Sequence, residues 1–254
     1  MKIPVPRNNL FYLKIMALVV MLACSSCGRS QAASSDPTSM PQTHLQWAQV
    51  LVKNLPLTNT SYQHKEDVVT WAGWNGASRY ESQTDCSGFI NALLEQTYGL
   101  TASDFERFFG TKRPLAETYY DAVISRNKFK QIPLISDVQP GDFIVIKYPP
   151  DNDNSGHIML VAAAPQKYPS SSPEMEGTEQ WIITVIDSSE TGHGSTDTRW
   201  QNNETFHDGL GQGVFRIYTN VAGEPAGYTW STFANSEYHS QQERPLVIGR
   251  LNLR

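Results

Sequence analysis

At 254 residues and a net charge of −5, the chain is long enough for one sizeable hydrophobic core or two small ones. The acidic balance, with no basic run, excludes recognition of a phosphate backbone, so no nucleic-acid partner is expected. Its three cysteines are Cys24, Cys27 and Cys86, and because the first two lie in the leader described next, an internal disulfide framework is excluded for the rest of the chain.

The chain opens as a targeting segment. Lys2, Arg7 and Lys14 form a positive region, and Ile15 to Ala23 is an unbroken apolar stretch too short to span a bilayer. It ends at Met21-Leu22-Ala23-Cys24, which resembles the lipobox of bacterial lipoproteins, with Met21 where that motif usually has Leu. The resemblance implies that Cys24 carries a lipid; an ordinary cleaved signal peptide is the other reading. Ser25, in place of the aspartate that retains many lipoproteins at the inner membrane, favours an outer-membrane address facing the periplasm. The expected organisation is a leader over 1–27, a flexible Ser-, Ala-, Gln- and Pro-rich tether over 28–43, and a folded domain over 44–254.

Within that domain, the spacing of Leu45, Ala48, Leu51 and Val52 predicts a helix over Leu45–Asn54. A loop rich in Trp, Gly and Asn follows at Trp71–Gly76. Thr84-Asp85-Cys86-Ser87-Gly88 then opens a helix whose buried face is Phe89, Ile90, Leu93, Leu94 and Tyr98, with Thr84 or Asp85 as cap and Gly99 as stop. Two further helices are predicted over Ala102–Phe109 and Pro114–Ser125, the second with Pro at its first position. From there β-type runs take over: 142–148, 157–161, 181–186, 214–218 and 246–251. Helices first and strands afterwards predict an α+β fold with an antiparallel sheet.

The chemistry centres on Cys86. A thiol in the first turn of a helix sits at the positive end of the helix dipole, which favours thiolate. His157, opening a strand, is the candidate base, able to take the thiol proton and later hand one to a leaving amine. A third polar group must hold that imidazole in one tautomer. Asp187, at the end of the run 181–186, and His193, six residues on, are the rivals for this role. The buried-cysteine reading, in which Cys86 is only a small hydrophobe, stands beside this one. Trp74 is a candidate for the substrate cleft along with Trp71, Trp200 and Trp230, with core packing as the alternative. Asp151–Gly156 imitates the start of a calcium loop but lacks the closing Glu, so it is read as a hairpin turn. Gly209-Leu210-Gly211-Gln212-Gly213 precedes a strand rather than a helix and is no phosphate cradle. His193, His207 and His239 lack zinc-ligand spacing and are read as surface or loop residues.

Asp85-Cys86-Ser87-Gly88-Phe89, Gln139-Pro140-Gly141-Asp142 and Ser155-Gly156-His157-Ile158, in that order, resemble the NlpC/P60 family of papain-like cysteine peptidases, over about Val68 to Ser189. The resemblance implies a papain-like fold of helices packed on an antiparallel sheet. It also implies cleavage of amide bonds in peptidoglycan stem peptides by Cys86, His157 and Asp187, without metal or cofactor. Asp85 and Ser87 match family positions that contact a free N-terminus of the substrate. The chain departs from the family at Trp71-Ala72-Gly73-Trp74, where the usual tyrosine of the oxyanion hole is missing and Tyr80 is the available substitute. Segments 108–137 and 165–180 are read as insertions. A catalytically degenerate scaffold lipoprotein, or a cysteine acyltransferase or deamidase, are the competing expectations.

Overall fold

The computed structural model describes residues 41–254 apart from 66, 202 and 203; the leader, Cys24 and most of the tether lie outside the described residues. Among the described residues four α-helices are present: α1 (His44–Asn54), α2 (Cys86–Tyr98), α3 (Ala102–Phe109) and α4 (Ala116–Ile124). The strands are β1 (Thr60–Ser61), β2 (Val68–Thr70), β3 (Glu81–Gln83), β4 (Phe129–Gln131), β5 (Phe143–Lys147) and β6 (Gly156–Val161), followed by β7 (Gln166–Tyr168), β8 (Glu179–Ser189), β9 (Gly209–Thr219), β10 (Pro225–Thr229), β11 (Tyr238–Ser240) and β12 (Leu246–Leu251). The fold is α+β, and its large sheet is antiparallel throughout, in the order β11-β10-β9-β8-β6-β5-β12-β4 with β7 added alongside β8. A small sheet, β1-β3-β2, precedes α2 and is parallel between β1 and β3. No helix among the described residues is long and apolar enough to cross a membrane.

Alternation along the strands gives the large sheet two apolar faces. Phe143 and Val145 of β5, with Ile158 and Leu160 of β6, pack with Leu51 of α1, Phe89, Ile90 and Leu93 of α2, and Tyr119 and Val123 of α4. The intervening residues Ile144, Ile146, Met159 and Val161 join Ile183, Val185, Phe215, Ile217, Tyr228 and Ile248 in a second core on the other face. Both sets are buried, which is why β5 and β6 read as continuous apolar runs rather than alternating ones.

Two local expectations change. Pro114 stands before Leu115, the cap of α4, and not inside the helix; its carbonyl accepts from the Asn91 amide at 3.1 Å. Asp187 does not end its strand: β8 runs on to Ser189, with Asp187 paired to Gly211 of β9.

Candidate active site

Asp85 is the cap that starts α2. Its Oδ1 accepts from the Gly88 backbone N–H at 2.7 Å and from Ser87 Oγ at 2.9 Å. Its Oδ2 accepts from Arg113 Nη2 at 2.9 Å. Burial pushes its pKa up, but Arg113 and these hydrogen bonds prevail and hold the carboxyl below its ordinary value. Both acceptor oxygens are thus committed within the protein, and the helix start that presents Cys86 is fixed. Cys86 itself is a buried free cysteine.

His157 arrives from the opposite side on β6. The residue before it must be glycine, because a Cβ on Gly156 would lie 2.1 Å from the Ile146 carbonyl oxygen of β5, with φ at +148°. Gly156→Ala is therefore expected to lower unfolding free energy by about 1–3 kcal/mol, read from a denaturant melt; a loss below about 0.5 kcal/mol would contradict this close approach.

The His157 ring bridges Cys86 and Asp187. Nε2 donates to Asp187 Oδ2 at 2.6 Å, and the ring is also hydrogen-bonded to the Cys86 side chain, which leaves Nδ1 for the sulfur. Burial pulls the His157 pKa down. The Cys86 charge, the hydrogen bonds to Asp187 and Cys86 and the Asp187 charge outweigh it, and the ring is held up at about 10. The imidazole thus stands between the Cys86 side chain and the Asp187 carboxylate.

Asp187 has no exposed surface and is held from three sides. Besides His157, it accepts from His193 Nε2 on the same Oδ2 at 3.0 Å, and from Arg199 Nη2 on Oδ1 at 2.9 Å. Burial pushes its pKa up, yet the His193 and Arg199 charges and the histidine hydrogen bonds hold it well below the usual carboxylate range. His193 Nδ1 donates to the Trp230 carbonyl at 2.7 Å. Both nitrogens of His193 thus face oxygen partners, Nε2 the Asp187 carboxylate and Nδ1 the Trp230 carbonyl. Between the two rivals, Asp187 touches His157 and His193 stands behind Asp187. His193 lies in the irregular segment between β8 and β9, as a loop residue, but it is fully buried, which corrects the surface half of its reading: its N–H is tied to Asp197 Oδ2 at 2.8 Å and its ring packs against Trp230.

Arg199, also without exposed surface, fastens this group together. Its Nε and Nη2 reach Asp197 at 2.9 and 2.8 Å, and Nη1 donates to the Gly209 carbonyl at 2.9 Å. Room for it comes from the glycines of β9. A Cβ on Gly211 would stand 2.4 Å from Arg199 Nε, and one on Gly213 would stand 2.1 Å from Asp197 Oδ2. Gly211 and Gly213 thus form a bare strip of strand on which the segment carrying His193, Asp197 and Arg199 lies down, while Gly209 makes room for Thr60 and Ser61 of β1. Ser188 Oγ donates to the Thr84 carbonyl at 2.6 Å, tying β8 to the start of α2.

Two cavities flank the Cys86–His157 line. One, about 210 Å³, is lined by Tyr62, Asp85, Cys86, Ser87, Ala116 and Gly156 among others. The other, about 500 Å³, is lined by His157, Tyr148, Trp230, His239 and Arg244 together with Tyr62 and Asn154. Tyr62, which the sequence pattern did not single out, belongs to both. Burial and the charges of Cys86 and Asp85 push its phenol pKa up, against a hydrogen bond with Asn154, so it remains an O–H donor beside the thiol. Tyr80 lines neither cavity and packs against the helical core. Trp74 also lines neither: it stands edge-on against Trp47 of α1 at 4.8 Å, a packing role that removes it from the candidate substrate contacts. Trp230 does face the site, with its ring centroid 4.8 Å from that of His157. The Asp151–Gly156 segment is the turn between β5 and β6, and Asp153 and Asn154 line both cavities.

No family model matches the chain, and no solved structure matches it. The chain is similar to the "Uncharacterized protein R653" of Acanthamoeba polyphaga mimivirus, at 36% identity over 225 residues that cover 85% of this chain and 99% of that protein.

Proposed function

We propose, for a chain that belongs to one family with the mimivirus protein R653, that it is a cysteine hydrolase of amide bonds. The observation that carries this reading is the hydrogen-bonded succession from Cys86 through His157 to Asp187 beside two cavities that share lining residues. A thiol at a helix start facing an imidazole on an antiparallel sheet supports the likeness to papain-like NlpC/P60 peptidases. On this reading the Cys86 thiolate attacks the amide carbonyl carbon, forming the C–S bond. The backbone N–H of Cys86 and the Tyr62 O–H are the donors available to the oxyanion. Collapse of the adduct breaks the C–N bond as the His157 imidazolium gives its proton to the departing amine. His157, now neutral, takes a proton from water, the resulting hydroxide attacks the thioester, and the acid and the starting ion pair are released. Peptidoglycan stem peptides are the proposed substrates. The leader fits this proposal, with Cys24 carrying the lipid that holds the enzyme at the outer membrane facing the periplasm.

Digestion of purified muropeptides across a pH series tests the reading. New free amines are expected, with activity maintained through neutral pH and lost as His157 gives up its proton near pH 10. The stability contributed by the raised His157 pKa follows the same sign: it is fully present below about pH 6.5, the unfolded value, and disappears as pH rises through about 10. Absence of new amines at every pH would sink the hydrolase reading. An alkaline limb near pH 7 would show that His157 is not held by its two partners.

A further inference from the structure

Resting on the hydrolase reading, the two cavities divide the substrate. The departing amine takes its proton from His157, so the leaving half occupies the larger cavity that His157 lines, and the acyl half lies on the Cys86 side. Arg244 lines that larger cavity. Its guanidinium lies over the Tyr148 ring, 4.8 Å from the centroid. A guanidinium held over an aromatic ring keeps a planar fork of N–H donors that suits a carboxylate.

No carboxylate among the described residues forms an ion pair with Arg244. Its acidic neighbours on the adjoining segment are Glu237 and Glu243. The Glu243 carboxylate is engaged by the N–H and Oγ of Ser240 at 3.1 and 2.9 Å. Burial and then the Arg244 charge pull the His239 pKa down against both glutamates, so the cation is felt within the cavity wall. Of the acids lining the cavity, Asp153 also lines the cavity beside Cys86. The other, Glu190, acts on Tyr62. The indole N–H of Trp230, another lining residue, is a buried donor with no acceptor. Arg244, whose guanidinium also reaches the Tyr228 phenol, and the Trp230 N–H both line this cavity, and a carboxylate is the ligand group made only of acceptors.

We propose that Arg244 anchors a carboxylate on the leaving half of the substrate, so that the enzyme releases an acidic or carboxyl-terminal amino component. The test is calorimetric titration of Cys86→Ala with N-acetyl-alanyl-alanine and with its C-terminal amide. The acid is expected to bind roughly tenfold or more tighter than the amide. The gap should close in Cys86→Ala/Arg244→Gln and persist in part in Cys86→Ala/Arg244→Lys, which keeps the charge but lacks the planar fork. Equal affinities, no binding of the acid, or a gap that survives Arg244→Gln overturns the proposal. Because the readout is binding, the two readings fail separately. A wild-type protein that cleaves no amide but prefers the acid defeats only the hydrolase; one that cleaves amides without that preference defeats only the anchor.

Discussion

Asp187→Ala is expected to cost about 3–5 kcal/mol of unfolding free energy, the scale seen when one partner of a buried ion pair is removed. The carboxylate neutralises the fully buried Arg199 and accepts from His157 and His193. Without it, Asp197 is the remaining carboxylate on Arg199, and the buried His157 ring loses its carboxylate acceptor. Against a typical total of about 5–15 kcal/mol, such a loss brings the domain close to unfolding. Asp187→Asn keeps the shape and an acceptor but not the charge, so it should fall between the two. Urea melts of the three proteins measure this; a drop below about 1 kcal/mol in the alanine variant would mean that the cluster rearranges freely. The acid side follows from the same group. Because its pKa is depressed, its contribution is present above about pH 3.9, the unfolded value, and is lost as pH falls through its folded value.

Cys86→Ala separates chemistry from folding. Removing the nucleophile of a group that acts as a unit should lower turnover by about four orders of magnitude or more. The side chain is small and lies at a helix start whose capping belongs to Asp85, so a stability change within about 1 kcal/mol is expected. Amine release from muropeptides and a urea melt, run on the same preparation, check both halves. Turnover that persists in Cys86→Ala would remove the thiol from the mechanism. A collapse of stability would return Cys86 to the role of a packing residue.

Legibility in the sequence followed local periodicity. Helices α1, α2 and α3 and the runs that became β5, β6, β8, β9 and β12 repeat over enough residues to show their faces. The short strands β1 to β4, β7, β10 and β11 take their form from pairing with distant partners, so no local pattern marks them. The same division runs through the site. Cys86 and His157 sit at the starts of periodic segments. Tyr62 follows a two-residue strand, and His193, Asp197 and Arg199 lie in an irregular segment, where a buried arginine contradicts the usual expectation for its type. One signal for that segment was present. Glycine at alternate positions leaves one face of a strand without side chains, and Gly209, Gly211 and Gly213 marked where another part of the chain would press against β9. Trp74 was misplaced because a tryptophan in a Gly-rich loop looks like a cleft wall, while its neighbour across the fold was Trp47.

The thiol and its base are anchored in different bodies of packed side chains. Cys86 belongs to the core beneath the helices, whereas His157 shares its side of β6 with Met159 and Val161 in the other core. Their meeting therefore reports how α2 sits on the sheet that both cores share, and the Ser188–Thr84 tie fixes the start of α2 to β8. A shift of about 1 Å of the start of α2 against β6 costs on the order of a hundredfold in rate. Such a protein can be idled without being unfolded, by anything that leans on the first turn of α2.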